Sequence, residues 1–383
     1  SMNIIVIKFG GTSVLGNEKL KNVADIVLKE LKNSKVIVVL SAMAGETNRL
    51  QSYLNHFEAQ NSRESDLVLT SGEQVTIGLL SAILKNKGVQ SIPLLGWQIP
   101  IITDDNHEKA KILYIDKKRI HEYLKNNDVI VLAGFQGISL DGEITSLGRG
   151  GSDTTAVAIA SSVDAERCDI YTDVDGVFTT DPNIDKNAKK ISKVSYEEML
   201  EMASTGAKVL HTRSVELAMK NNLTLQVLSS ITKKSGTFIV DDKELIEKEI
   251  VSGVSYSKHE AKVTISGILD KPGISAKIFS LMTENNINVD MIVQNISQDG
   301  IYANITFTIN QKDFDLTKTV LESKNHSLDY KSLSLDKKVA KISVVGMGMM
   351  SQSGVAEKMF KTLAKNEINI LAISTSEIKI SVL

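Results

Sequence analysis

The residues best suited to chemistry fall in three glycine-rich segments. The first is Lys8-Phe9-Gly10-Gly11-Thr12-Ser13, at the end of a strand-length apolar run. Glycines let a backbone approach a polyphosphate, and helix N-terminal N–H groups bind anions. Lys8 supplies a point charge for phosphoryl oxygens. The order G-x-x-x-x-G-K of a P-loop is absent, and an ordinary strand-to-helix turn could use the same glycines. The second is Leu147-Gly148-Arg149-Gly150-Gly151-Ser152-Asp153. Ser152 and Asp153 are common helix caps. An arginine held between glycines instead suits bidentate capture of a carboxylate or phosphate. The third is Tyr171-Thr172-Asp173-Val174-Asp175-Gly176-Val177-Phe178. It follows a strand, at the end where open α/β sheets bind ligands, so Thr172 and Asp173 can meet a nucleotide; an Asp-Gly turn with solvated acids is the plainer reading.

Three shorter segments accompany these. Ser41-Ala42-Met43-Ala44-Gly45-Glu46-Thr47 offers hydroxyls beside a glycine. Ser71-Gly72-Glu73 and Gly206-Ala207-Lys208 each open a helix. A glutamate in a first turn usually serves only the helix dipole, and a lysine there is usually solvated. None of the six histidines has metal-ligand spacing, and G-x-S-x-G is missing, which disfavours a zinc enzyme or a serine hydrolase. The single cysteine, Cys168, excludes an internal disulfide. The charge balance of 44 basic and 46 acidic residues argues against a nucleic-acid partner. No apolar run in the plain sequence approaches the ~18 residues of a membrane span. A cytoplasmic location is the simplest expectation. Ser1-Met2 reads as a scar ahead of a native start.

These segments need elements to position them. Ile4–Val6, Val36–Leu40, Ile92–Leu95, Val129–Ala133, Asp169–Tyr171 and Thr224–Leu228 read as strands, several apolar on both faces. Helical patterns fill Glu18–Leu31, Thr70–Lys85, Asp116–Lys125, Ser152–Ser162, Tyr196–Ser204 and Thr212–Lys220. The alternation predicts an α/β domain, a mostly parallel sheet sandwiched by helices, over residues 2–240. Asp141-Gly142 marks a hairpin inside it, and the charged run Asp241–Lys248 marks its end.

Beyond that run the sequence repeats itself. Ala261-Lys262-Val263-Thr264-Ile265-Ser266-Gly267 matches Ala340-Lys341-Ile342-Ser343-Val344-Val345-Gly346. Gly273-Ile274 matches Gly354-Val355, and Ile287-Asn288-Val289 matches Ile368-Asn369-Ile370. A period near 80 residues suits two small α+β units, expected at 250–335 and 336–383. The second reaches Leu383 without a second helix, so a shortened unit or a tail outside the sequence is expected.

Taken in order, the three glycine-rich segments resemble those of aspartokinases in the amino-acid kinase superfamily, and the repeat resembles their paired ferredoxin-type ACT domains. The resemblance spans nearly the whole chain. It implies ATP- and Mg²⁺-dependent phosphorylation of the side-chain carboxylate of L-aspartate, opening the route to lysine, threonine and methionine. It places Lys8 at the transferring phosphate, with Gly10, Gly11 and Ser13 around it. It gives aspartate to Thr47, Glu73 and Arg149, with Glu73 on the ammonium and Arg149 on a carboxylate. Ser152 and Asp153 organise the phosphate, substrate and magnesium region, and Thr172, Asp173 and Lys208 hold the nucleotide. Some relatives carry tyrosine at Phe178 and arginine at Asn183, so nucleotide contacts there differ. Val251–Tyr256 is expected to lend a strand to the second ACT sheet. A homodimer through the ACT units is implied, with lysine or threonine as effector at Asp270, Gly273, Ile274, Ser275 and Gln294 of the first unit and Asn369 and Ile370 of the second. Three alternatives stay open: a sister kinase acting on acetylglutamate, glutamate or a nucleoside monophosphate, a catalytically idle amino-acid sensor, and a nucleotide-binding protein without kinase activity.

Overall fold

The computed structural model describes residues 2–204, 209–323 and 328–383. Two compact units emerge, the first running to Ile246 and the second from Glu247 to Leu383.

The first unit is built on an eight-stranded sheet. Its spatial order is Lys193–Ser195, Thr237–Val240, Leu225–Ser229, Cys168–Thr172, Ile4–Phe9, Lys35–Leu40, Val129–Ala133 and Ser91–Leu94. The six strands from Leu225–Ser229 to Ser91–Leu94 run parallel. Thr237–Val240 turns back against its neighbour, and Lys193–Ser195 runs parallel to it at the edge. The central strands read as unbroken apolar runs because helices cover both faces. Asn17–Glu30 buries Leu20, Val23, Ala24, Ile26 and Val27. Gly151–Ser162 is buried nearly all round, which is why it is made of alanines, threonines and small aliphatics.

Register decides where the loops emerge. Phe9 lies level with Leu40 and Tyr171, Leu40 with Ala133, and Tyr171 with Leu228. Five strands therefore end at one edge, and the chain leaves there at Gly10, Ser41, Gly134, Thr172 and Ser229. A four-stranded sheet of Ile112–Ile115, Ile101–Thr103, Gln136–Ser139 and Ile144–Ser146 lies within the same unit. Its hairpin turns at Asp141-Gly142, with Gly142 at φ 83°.

The expected strands and helices occur with small shifts of boundary. Two helices lie outside those expectations, Glu46–His56 and Arg63–Leu69. The former buries only Leu50 and Leu54, too thin a stripe to stand out in a polar sequence. Arg63–Asn86 as a whole is long and apolar enough by composition to cross a membrane, contrary to the plain reading of the sequence. It consists of two helices, Arg63–Leu69 and Gly72–Asn86, and half of its most apolar stretch is buried inside the unit.

The second unit is a six-stranded antiparallel sheet in the order Val289–Ile296, Tyr302–Asn310, Gly253–Leu269, Ser332–Val345, Lys379–Val382 and Ile373–Thr375. Gly253–Leu269 and Ser332–Val345 are long enough to serve both repeats. Gly253–Ser257 pairs with Lys341–Val345, and Lys262–Ser266 pairs with Ser332–Asp336. Ser332–Val345 thus runs unbroken through residues 335 and 336, and the repeats share one sheet. Their likeness is visible in the backbone, since Gly273 and Gly354 open helices Ile274–Glu284 and Val355–Lys365 at φ 90° and 94°. A left-handed residue in both places demands glycine. The larger core gathers Ala261, Val263, Ile265, Ile278, Phe307 and Leu321.

Candidate active site

A cleft of about 630 Å³ opens where the parallel strands end. Lys8, Gly11, Thr47, Glu73, Arg149, Ser152 and Asp153 all line it, so residues from four segments up to 145 positions apart meet at one place. The backbone explains the glycines. A Cβ on Gly11 would lie 2.9 Å from Ala42 O and Ala44 N, and one on Gly72 would strike the Ala42 Cβ at 2.7 Å. These two glycines let the Lys8 loop, the Ser41–Gly45 loop and the start of helix Gly72–Asn86 come together. Ala44 N–H donates to Gly11 O at 3.1 Å, and the Thr76 hydroxyl donates to Ser41 O at 2.9 Å.

The arginine loop is seated as tightly. Gly148 and Gly150 have φ of 81° and 71°. A Cβ would meet Glu108 O at 2.8 Å from Gly148, the His211 ring at 2.5 Å from Gly150, and the Phe135 ring at 2.8 Å from Gly151. Arg149 itself is exposed at the cleft, with no hydrogen bond or ion pair to the described residues.

Two charged features define the electrostatics. Lys8 Nζ stands 2.7 Å from Asp153 Oδ1, both side chains 12% exposed. The contact is an ion pair with poor hydrogen-bond alignment, and Asp153 Oδ1 has no other partner. Glu73 is buried, and burial pushes its carboxyl up to about 8 against the opposing pull of the Glu73 and Ala42 N–H groups. Its Oε2 has no hydrogen-bond partner among the described residues. A buried acceptor left open at a cleft wall suits a cationic ligand. Among the described residues no group of three or more histidine, cysteine or acidic side chains could hold a metal ion. A cation brought in on phosphate oxygens needs fewer protein ligands, and Asp153 Oδ1 fits that smaller demand.

Of the residues expected to hold the nucleotide, Lys8 and Gly11 line the cleft, whereas Ser13, Thr172 and Asp173 do not. Ser13 is buried, its hydroxyl 2.8 Å from that of Ser230. Thr172 Oγ1 accepts the Val174 N–H at 3.0 Å and donates to its carbonyl at 3.0 Å, closing its own turn. Asp173 is exposed on that turn. Asp175 accepts the Thr232 hydroxyl at 2.5 Å, joining two loops at the same sheet edge. Phe178 forms an isolated bridge with Lys190, and Asn183 N–H donates to Asp181. Lys208 lies outside the described residues. The sequence reading passed over Glu108, Phe135 and Ser146, which also line the cleft. Each is a single residue of common type in a loop or short strand, with no spacing signal.

A sheet of this order with glycine loops and a lysine–aspartate pair at its carboxyl edge defines an amino acid kinase, and the model of the amino acid kinase family matches residues 3–229. An ACT domain model matches residues 263–324 and 342–383. Within that superfamily the chain belongs to the aspartokinases. It is 48% identical to the aspartate kinase of Pseudomonas putida over 100% of this chain and 93% of that one. It superposes on Escherichia coli aspartokinase III in complex with aspartate and ADP (R-state) with a TM-score of 0.79, at 25% identity, covering 99% of this chain and 96% of that one. The lysine and aspartate complex of the same enzyme (T-state) gives 0.76, at 25% identity over 99% and 95%.

Proposed function

We propose that this chain is an ATP-dependent aspartate kinase, moving the γ-phosphoryl group to the side-chain carboxylate of L-aspartate. The observation that carries the reading is the convergence in one cleft of Lys8 paired to Asp153, the open Glu73 oxygen and the unpaired Arg149. An amino acid substrate needs a group for its ammonium and one for a carboxylate, and Glu73 and Arg149 suit those two parts.

The acceptor carboxylate is ionised at neutral pH, so no general base is required. What remains is positioning and charge neutralisation during in-line transfer. In this reading Glu73 receives the substrate ammonium, Arg149 grips a carboxylate with its planar fork, and Thr47 and Ser152 supply hydroxyls. Lys8, held by Asp153, faces the transferring phosphoryl group beside Gly10 and Gly11. ATP lies along the sheet edge at Ser13, Thr172 and Asp173, and Lys208 is a further residue assigned to the nucleotide. Mg²⁺ brought in with the nucleotide would supply charge neutralisation at the phosphates, and Asp153 is the carboxylate that would help to hold it.

The regulatory reading rests on the second unit. Lysine or threonine binds near Gly273, whose left-handed turn opens helix Ile274–Glu284. Asp270 and Gln294 take the ammonium there; the Ser275 hydroxyl lies 3.5 Å from the Gln294 side chain. Asn369 and Ile370 of a second copy complete the site in a homodimer paired through these sheets, and the cytoplasm is the compartment. The test is ADP release with aspartate, glutamate, acetylglutamate and UMP in parallel. Turnover with aspartate alone supports the assignment; a rate with aspartate no higher than without it overturns it.

A further inference from the structure

Asp66, on helix Arg63–Leu69, is wholly buried yet does not line the cleft. A buried charge is tolerated only when donors surround it, and here they converge from two distant segments. Oδ1 accepts the Ser146 hydroxyl at 2.6 Å and the Glu108 N–H at 3.1 Å. Oδ2 accepts the Ser146 N–H at 3.0 Å, shares the Glu108 N–H at 3.2 Å, and meets His107 Nδ1 at 2.7 Å. With the proton on Nδ1, four donors serve one carboxylate.

What Asp66 grips is the support of the arginine loop. Glu108 sits at φ 66°, a backbone region that non-glycine residues occupy at a cost unless held there. Its carboxylate is fastened by the Asn61 N–H and the Ser65 hydroxyl. Its carbonyl oxygen lies directly under Gly148, 2.8 Å from where a Cβ would be. From the other side Arg213 donates to Leu147 O at 2.8 Å and to Ala110 O at 3.1 Å, and Ala110 N–H donates to Ser146 O at 2.9 Å. Residues 146–148 are thus pinned from both sides, and the next residue is Arg149, whose side chain has no anchor of its own among the described residues. The height of that guanidinium over the cleft is therefore set by its backbone.

We propose that Asp66 is a positioning residue for the acceptor substrate, fixing the Arg149 loop through Glu108 and Ser146 without touching the ligand. The inference rests on Arg149 being the carboxylate clamp. An asparagine at 66 keeps the shape but removes the charge and turns an N–H₂ toward one side, so either the Ser146 N–H loses its acceptor or the Glu108 N–H loses one of its two. Displacements near 1 Å in a binding group cost up to ~10²-fold.

The experiment is steady-state kinetics of D66N, R149K, the D66N/R149K double variant, H107A and H107N. D66N is expected to raise KM for aspartate about 10- to 100-fold while leaving KM for ATP within twofold. The double variant should match R149K, because Asp66 acts only through that loop. H107A should raise KM for aspartate, and H107N should restore it, since its amide N–H can stand in for Nδ1–H. A KM for aspartate unchanged in D66N, or a rise matched by that for ATP, overturns the inference. Should D66N fail to fold, the histidine pair decides, and equal aspartate KM in wild type, H107A and H107N overturns it. If R149K leaves KM for aspartate untouched, the clamp assignment itself fails; if R149K raises it and D66N does not, only the positioning role fails.

Discussion

Lys8 and Asp153 sit 145 positions apart in sequence and 2.7 Å apart in space. The register of Ile4–Phe9 beside Cys168–Thr172 and the packing of helix Gly151–Ser162 on that pair of strands bring them together. In the proposed function this ion pair keeps the ammonium at the cleft wall, where its N–H groups would meet phosphoryl oxygens. Lys8→Ala is expected to lower kcat at least ~10²-fold, the scale of losing one electrostatic stabiliser of a transition state. KM for aspartate should move far less, because the charge acts where negative charge moves. A normal kcat with a raised KM would assign Lys8 to substrate binding instead.

The Glu73 carboxyl, pushed up to about 8 by burial, ties binding to pH. Below that value the free protein carries a proton that the substrate ammonium must displace. Aspartate binding at pH 7 is expected to release a proton, seen as calorimetric heats that vary with the ionisation enthalpy of the buffer. KM for aspartate should fall as pH rises from about 6.5 to 8, by up to tenfold per unit. Stability runs the other way. The folded-state value lies above the ordinary value of about 4.3, so between these limits the folded chain binds a proton that the unfolded chain does not. This contribution to stability is present at low pH and is lost as pH rises through 8. Glu73→Gln should flatten that part of the Tm-versus-pH curve. Buffer-independent heats would show that Glu73 is already ionised in the free protein.

Much of this was legible before any coordinates. Buried parallel strands leave continuous apolar runs, and a backbone that must pass within 3 Å of another leaves glycine, so Gly11, Gly148 and Gly150 could be read directly. Glu73 stood out in Ser71-Gly72-Glu73 only as a first-turn acid, and its substrate role came through the resemblance, because its burial depends on the Ala42 loop packing across it. Asp66 was invisible. In Arg63-Glu64-Ser65-Asp66 it reads as an ordinary first-turn acid, and its partners His107 and Ser146 lie 41 and 80 residues away. Networks assembled from single polar residues on different elements leave no period to detect.

Lys341 offers a test within the regulatory unit. It is buried on the shared strand Ser332–Val345, 3.3 Å from Glu260 Oε1 and in contact with Asp290. Glu260 is 12% exposed and Asp290 49%. Lys341→Ala strands the buried Glu260 carboxylate, and a loss of about 3 kcal/mol is expected. Asp290→Asn should cost under about 1 kcal/mol, because that carboxylate is half solvated and screened. Urea unfolding followed by far-UV circular dichroism measures both. Equal losses would mean that Asp290, not Glu260, is the partner that matters.

The last prediction concerns the effector. Gly273 and Gly354 hold the same left-handed turn ahead of equivalent helices, and the first turn has acceptors suited to an ammonium close by, with Asp270 before it and Gln294 on the facing strand Val289–Ile296. An effector that inhibits must bind the less active state more tightly, and by linkage aspartate must then weaken its binding by the same factor. Calorimetry with lysine and with threonine is expected to show binding of at least one. Asp270→Ala should weaken that binding about tenfold or more, the scale of a charge-assisted hydrogen bond. The coupling factor should come out equal whether lysine affinity is titrated at several aspartate concentrations or aspartate affinity at several lysine concentrations. Binding that Asp270→Ala leaves intact would move the effector away from Gly273. A coupling factor of one in both titrations would mean that inhibition proceeds through a catalytic step and not through the affinity for aspartate.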